Sequence, residues 1–578
     1  MDGCTGATIS NSVYTSGSTI TGVTPTVCTT VADADFFIDK ANKDFRSTGS
    51  LTFVNAGEQF SGYPTVDFNG TTRVGNPDIG CYEFSCPASY NGTYTVGTSG
   101  TFKNLTTALA FLKSCQTGNV ILELDESYRT TEEALETYPL NFAGLLTSNS
   151  ISLTIRPKSG VTALITLGGS SATTMLDFNG TDYVTIDGRI GSTGATSLIT
   201  IDNTSTTSGA TAINFYSTAT NNTLQYCTLK STATGATSGV VTFGTGSNAT
   251  NTITYCNIDG GAGSTAAPTN AARVGIYSTG TANDNMTITN NNVYNCFNTT
   301  VVSPHAGIYV GNGSSAWTIT GNSIYQTSNR TVTGITEYYG IVISNTSSVG
   351  NIVSNNYVGG TSSSCGGTKF TFAGTYSNIF RGIYINCGTS SSTTVNGNTV
   401  ANLSFTSSLA GNYFYGINVA GGNVNIGTTS GTGNTIGSRT VDASTAANAS
   451  ITLIPTAASA NNALGIYSII AANHTVNYNK VAGINISNSN AANPATFYGI
   501  YPAGTSSDAP TVTYNSVGSN NNTNSIVVGT GATTGVNTFY GIVNQGYTGV
   551  VTMQYDTIQG VKVYGTGASL VYPIYNTT

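Results

Sequence analysis

Between residues 191 and 578 the chain carries only seven carboxylates: Asp202, Asp259, Asp284, Glu337, Asp442, Asp508 and Asp556. Breaking a glycosidic bond needs two carboxylates straddling it, or aspartates holding calcium beside a base. No two of the seven fall at matching places in the repeated phrases described below. The cations Lys230, Arg273, Arg330, Lys369, Arg381, Arg439, Lys480 and Lys562 are equally scattered. A polysaccharide-degrading lyase or glycosidase is therefore the alternative reading, open only to a site assembled from loops. His305 and His474 have no partner motif and read as ordinary loop or turn residues. The acidic run LDESYRTTEEALE (124–136) lacks EF-hand spacing and reads as a solvated loop. Asp67 and Asp78, with Arg73 and Glu83, read as an ion-paired clamp. Calcium at Asp67 and Asp78 is the other reading, and no further metal or cofactor is implied.

Aromatic residues offer a second chemistry. Tyrosines gather beside a recurring Gly-Ile phrase, and Trp317 opens a strand. Rings set among Asn and Thr suit sugars, whose faces stack on aromatics while hydroxyls take hydrogen bonds. Tyr277, Tyr309, Trp317, Tyr384, Tyr467 and Tyr501 are the candidate glycan face. Against this stands the simple preference of tyrosine for half-exposed strands. The ten cysteines contain four pairs whose spacing would let neighbouring turns be bridged: Cys4–Cys28, Cys86–Cys115, Cys227–Cys256 and Cys365–Cys387. Spacing does not fix connectivity, and buried free thiols are the alternative.

Two phrases position these residues. One is Thr-Ile-Thr followed by an Asn and then an apolar residue two places on, as in TITNNNV (287–293), TITGNSI (318–324) and TVNYNKV (475–481). The other is Gly-Ile, at 275, 307, 340, 382, 416, 465, 499 and 541. From each glycine to the next such Asn (or Asp556) is 14 to 18 residues, whereas glycine to glycine is 32 to 49. A constant wall with variable loops is the mark of a solenoid. Strand alternation puts Ile288 or Ile319 inward, and neither strand can bury its apolar face alone. The fold class expected is all-β: a parallel, right-handed β-helix of about eleven to thirteen coils at ~4.8 Å each. Asn291, Asn322, Asn356, Asn398, Asn434, Asn479 and Asn515 then form a ladder at one bend, where Asn tolerates left-handed geometry and its amide bonds along the stack. Cys227 and Cys256 take that place in the two preceding coils. The Thr-x-Thr pairs resemble those of ice-binding solenoids, but Ile352/Ser354 and Thr475/Asn477 break the array.

Residues 101–116 carry Phe102, Leu105, Leu109, Phe111 and Leu112 at helical spacing, which predicts a short helix capping the first coil. The divisions expected are 1–86, closing a preceding β-rich unit; 87–170, cap and first coils; and 171–578, the β-helix, continuing past the chain end. Charged residues are 7% of the chain, the net charge is −7 and the pI about 4.8. Without a Lys/Arg run, nucleic acid is excluded as a partner, and no apolar stretch is long enough for a spanning helix. The N-terminus, MDGCTGATIS, has no signal-peptide pattern, so the chain is cytoplasmic or an internal segment.

Asp67, Gly70, Arg73, Asp78, Ile79, Gly80, Tyr82 and Glu83 resemble the closing motif of β-helix units in very large surface proteins of Bacteroidota, with Cys81 in place of the usual Ala. YTVGTSGTFKNLTTALAFL resembles the opening of the next unit in that family. The resemblance implies type IX secretion, a cell-surface or extracellular location and an adhesive or structural role, without catalytic residues. The expectation is a non-enzymatic stalk. Its partners are surface glycans or other cell-surface proteins, further domains of the same polypeptide, and other copies in a fibre.

Overall fold

An isoleucine between two threonines hides one face only if something covers it, and here the cover is the same phrase one turn later. The computed structural model describes residues 89–577 except 233, 262–270, 300–304, 312, 407–412, 456–459, 470–474, 505–509 and 548. Before residue 89 it describes 65–66 and the backbone of six short strands between Ala7 and Ser47. The chain forms two units, Met1–Thr162 and Ala163–Thr578.

In the second unit, Thr287 pairs with Thr318, Ile288 with Ile319 and Thr289 with Thr320, all parallel. The same register repeats from coil to coil, so Leu224, Ile253, Ile288, Ile319, Val353 and Val395 form one sealed file. After each Asn the chain enters a second wall, a 12-stranded parallel sheet running from Ile165–Gly169 to Thr557–Gln559. The Gly-Ile strands stack as a third parallel wall. This is a parallel β-helix. From Arg330–Val332 onward each coil gains a fourth strand, in a seven-stranded sheet ending at Val561–Val563. The stretch read from sequence as a variable return loop is thus partly a wall. The Gly-Ile strand lengthens with it, from Val274–Ser278 to the nine residues of Thr336–Ser344. Arg330 opens the fourth wall fully buried, donating to the carbonyls of Phe297, Ser328 and Asn329 and to Gln326 Oε1. Burial lowers its pKa to about 10.

What faces the glycine explains the Gly-Ile phrase. Tyr339 pairs with Arg381 and Ile341 with Ile383, but the register skips Gly340. Gly340 and Ile341 both turn to the core, so the strand bends there. A Cβ on Gly340 would lie 2.4 Å from the Gly382 carbonyl oxygen and 2.6 Å from Val358 Cγ1. At Gly382 the obstacles are Gly416 O and Val400, at Gly465 they are Gly499 O and Val481, and at Gly499 they are Gly541 O and Val517. Each of these valines is the apolar residue two places after a ladder asparagine. The two recurring phrases are therefore the two sides of one contact.

The asparagine ladder is continuous. The backbone N–H and Nδ2 of Asn291 both donate to Asn322 Oδ1, at 3.0 and 2.9 Å, and Nδ2 also donates to the Ile253 carbonyl. Asn322, Asn356, Asn398, Asn434 and Asn479 repeat the pattern, and Asn515 ends it on Asp556 Oδ1. Each side chain is sealed and each amide fully used. One expectation is corrected here. At every ladder position but Asn434 the left-handed residue is the one before it: Asn290, Gly321, Asn355, Gly397, Tyr478, Tyr514 and Tyr555 have φ between 54° and 72°. The ladder asparagine itself must point inward, so its neighbour makes the turn. Where that neighbour is Tyr, the left-handed cost of about 1–2 kcal/mol is offset by ring stacking, as in Tyr478–Tyr514 at 4.8 Å and Tyr514–Tyr555 at 4.7 Å.

The cysteines bring a second correction. Cys227, Cys256, Cys296, Cys365 and Cys387 are buried free thiols. Neither Cys227–Cys256 nor Cys365–Cys387 is a disulfide. Cys227 and Cys256 are stacked neighbours whose thiols donate to the backbone carbonyls of Gln225 and Thr254, and the Cys256 N–H donates to Asn291 Oδ1, so the pair continues the ladder. Parallel, in-register side chains suit such a contact better than the crossed geometry of a bridge. Cys115 is disulfide-bonded. Cys86 and the pair Cys4–Cys28 lie outside the described residues.

In the first unit, Ala7–Ser10 pairs in parallel with Val23–Thr26, and Val13–Thr15 with Thr29–Val31. Gly92–Val96, Val120–Leu124 and Leu153–Pro157 also pair in parallel. The helix spans Leu105–Cys115, buries Leu105, Ala108, Leu109 and Leu112, and is N-capped by Asn104. The acidic run is no simple solvated loop. It forms one turn of π-helix and one of 3₁₀-helix. Its Glu136 carboxylate accepts from the Leu105 and Thr106 N–H groups at the helix start and from the Tyr128 hydroxyl.

Three outcomes test this stacking. Gly382→Ala places a carbon 2.6 Å from Val400 and Gly416, and is expected to destabilise by about 1–3 kcal/mol; an unchanged urea midpoint would contradict the interlock. Asn398→Ala strands the buried donors of Asn356 at a cost of about 1–3 kcal/mol, read as faster hydrogen exchange in the flanking strands; unaltered exchange would count against the ladder. Asp556 has a buried Oδ2 without a partner among the described residues, where the asparagines carry a donor. Burial raises its carboxyl pKa. Its contribution is therefore full below the ordinary carboxyl range and lost as pH rises through the raised folded value. Asp556→Asn should raise the melting temperature at neutral pH and remove that loss; parallel pH profiles for the two proteins would refute it.

Candidate functional site

Because the Gly-Ile strand bends with two residues turned inward, the side chains on either side of the bend meet on its outer side, where Val274, Ala306, Tyr339, Val342, Asn418 and Leu464 are covered and most of the other rings half-buried. Each coil contributes one residue from before the glycine and one from after it. The first column runs Val274, Ala306, Tyr339, Arg381, Tyr415, Leu464, Tyr498, Tyr540, Tyr572. The second contains Tyr277, Tyr309, Val342, Tyr384, Asn418, Tyr467, Tyr501 and Tyr575. Rings touch across the bend: Tyr339–Tyr384 at 5.7 Å, Tyr498–Tyr501 at 5.3 Å and Tyr572–Tyr575 at 5.1 Å. Within the columns, Tyr277–Tyr309 and Tyr467–Tyr501 are edge to face, while Tyr498–Tyr540 are parallel at 4.8 Å. The candidate tyrosines Tyr277, Tyr309, Tyr384, Tyr467 and Tyr501 thus stand in one half-buried file.

At the middle of this surface sits a polar cluster. Arg381 Nη1 lies 3.2 Å from Glu337 Oε1 and donates to the Tyr339 hydroxyl at 2.9 Å; Nε donates to Asn418 Oδ1 at 2.9 Å. The Tyr339 hydroxyl donates in turn to Glu337 Oε2. The guanidinium is ringed by Tyr339, Tyr384 and Tyr415, with centroids 5.3, 5.5 and 5.3 Å away. Burial pushes the phenols of Tyr277, Tyr339, Tyr384, Tyr467 and Tyr501 above their ordinary range, and that of Tyr498 up to about 12. They remain neutral hydroxyls, able to donate and accept. They are poor bases.

Counting by sequence missed this cluster because Glu337, Arg381 and Asn418 are 37 to 81 residues apart. The usable signal was distance from the glycine: Glu337 three before Gly340, Arg381 one before Gly382, Asn418 two after Gly416. Asp202 and Lys230 likewise pair across adjacent coils, at 3.7 Å.

Trp317 does not belong to the surface. It is fully buried, its Nε1 donates to the Asn283 carbonyl at 2.7 Å, and its ring packs edge-on to Phe243. The position before each Thr-Ile-Thr strand points inward, as the burial of Asn222, Asn251, Met286 and Asn351 shows. Two of these form a further ladder that the sequence reading did not include: Asn222 Nδ2 donates to Asn251 Oδ1. His305 is a buried strand residue against Tyr338, its Nδ1 accepting from the Asn298 N–H, and is neither loop nor turn. His474, Asp67, Arg73, Asp78, Glu83 and Asp508 lie outside the described residues. Among the described residues no group of three or more His, Cys, Asp or Glu is placed to hold a metal. None of their helices is long and apolar enough to cross a membrane. The outward threonines spend hydroxyls on one another, as between Thr254 and Thr289 at 2.9 Å, and Ile352 interrupts them.

No family model matches the chain, and no curated protein matches it by sequence. Among solved structures it is similar to the A-module of the mannuronan C-5 epimerase AlgE6 of Azotobacter vinelandii. That likeness has 11% identity over 74% of this chain and 91% of that one, with a TM-score of 0.32. The Streptococcus pneumoniae surface protein and adhesin PfbA aligns over 72% of this chain and 91% of its own, at 10% identity and a TM-score of 0.18. Neither likeness transfers an activity.

Proposed function

We propose that this chain is a segment of an extracellular structural and adhesive stalk, whose Gly-Ile wall holds glycans. One observation carries the reading: outward tyrosines recur at fixed places on both sides of the bend, coil after coil, around a hydrogen-bonding cluster. Tyrosine at random half-exposed positions would not fall into two files that meet. Rings aligned along the stack give an extended sugar chain repeated stacking contacts, and Glu337 and Arg381 supply polar partners. The backbone beneath is held by parallel ladders on every wall, which suits a load-bearing spacer. Among the described residues the columns contain no carboxylate, and the one beside them, Glu337, is already engaged by Arg381 and Tyr339. A lyase or glycosidase would need a second acidic group there. An extracellular location accords with the family resemblance of the closing motif.

The test is a glycan array with the purified chain and with Tyr309→Ala combined with Tyr384→Ala. Binding to at least one glycan class, reduced about tenfold or more in the double variant, is expected, since base- or sugar-type stacking on a ring contributes about 1–3 kcal/mol. A silent array, or binding unchanged by the double substitution, would overturn the reading. So would cleavage of the bound polysaccharide.

A further inference from the structure

The polar cluster narrows the kind of glycan, and this step rests on the reading just given. A site for acidic sugars would present an uncompensated cation. Arg381 is the cation facing the columns, and it is compensated: Glu337 lies 3.2 Å away, and the Tyr339 hydroxyl closes a triangle by accepting from Arg381 and donating to Glu337. The side chain of Glu337 is 37% exposed and that of Arg381 15%, so what reaches solvent is more acceptor than donor. Arg273, the other cation near the rings, is buried, with Nη1 on the Gly235 carbonyl at 2.9 Å. The surface thus offers no net positive charge to a carboxylate or sulfate. It offers acceptors on Glu337 and donors on Arg381, which is steadied from beneath by the buried Asn418 Oδ1. Among the described residues none accepts from Arg381 Nη2. Neighbouring donors and acceptors held rigidly beside ring faces match adjacent hydroxyls of an uncharged sugar, each of which both donates and accepts.

We infer that the Glu337–Arg381–Tyr339–Asn418 cluster is a subsite for uncharged polysaccharide, and that Glu337 is the residue excluding acidic chains. Like-charge exclusion is a recognised way to build specificity, since repulsion removes a competitor that shares every other contact. The cluster's place also fits: Tyr384 and Tyr415 flank it, so a sugar ring stacked on either brings its hydroxyls to the charged pair.

The experiment is titration calorimetry of the whole chain with a neutral β-linked hexose oligosaccharide and with a polyuronate of equal length, each at low and high salt. The chain as it stands should bind the neutral oligosaccharide with an affinity that salt does not change, and bind the polyuronate at least about tenfold more weakly. Glu337→Gln should reverse the order, weakening the neutral ligand and creating salt-sensitive polyuronate binding. Arg381→Gln should weaken the neutral ligand without that gain. If Arg381→Gln fails to fold, as circular dichroism would show, Glu337→Gln still decides. Salt-sensitive preference for polyuronate by the unmodified chain, or no change of preference in Glu337→Gln, would overturn the subsite while leaving a glycan-binding wall. Binding of neither ligand, together with a silent glycan array, would instead remove the wall's role altogether.

Discussion

A ladder asparagine in this molecule is satisfied by a copy of itself one coil on, or, at Asn515, by the carboxylate of Asp556. Its Oδ1 takes two N–H groups from the coil before, while its own N–H and Nδ2 reach forward to the next, and Nδ2 also returns to a strand carbonyl. No partner elsewhere in the chain could meet all of these demands at a turn sealed from water. Strict register follows. Shifting one coil by a single residue would leave several amide groups unpaired and turn its isoleucine outward. The Gly-Ile bend enforces the same register from the opposite side, because the glycine accepts the neighbouring valine only when both phrases are aligned. Loops may differ in length, but these two points may not.

That constraint separates what the inside and outside of the coil can do. Inward positions are committed to the core, which is why Trp317 is spent there although its sequence context suggested a ligand surface. Outward positions flanking the bend are free of this demand, yet they inherit its spacing. Tyrosines and one Arg–Glu pair occupy them in files. The surface they form needs no dedicated loops: it is the outside of the same wall whose inside holds the molecule together.

The repeat was legible because both phrases consist of residues with a single structural use, Asn at the sealed turn and Gly at the bend. The β-helix and the ladder positions followed from them; the helix expected over 101–116 followed from its apolar spacing and runs from Leu105 to Cys115. The left-handed residue was misplaced by one, since Asn occurs at both positions and Tyr478, Tyr514 and Tyr555 do not advertise a positive φ. The fourth wall was not readable: Arg330–Val332 and Leu403–Phe405 are three-residue strands without a shared phrase. Cys227 and Cys256 were placed as neighbours, but spacing could not tell thiols from a bridge. The Glu337–Arg381 pair was invisible to counting in sequence and plain when counted from the glycines.

The most direct test of the stacked amides is residue-resolved backbone hydrogen exchange. Asn291, Asn322, Asn356, Asn398, Asn434, Asn479 and Asn515 sit at turns, where N–H groups usually exchange fast. Here each except that of Asn515, which meets a carboxylate, donates to the next asparagine's Oδ1. They should exchange as slowly as the strand interiors on either side. Exchange at the rate of ordinary exposed turns would contradict the ladder, and with it the register on which the outer tyrosine files depend.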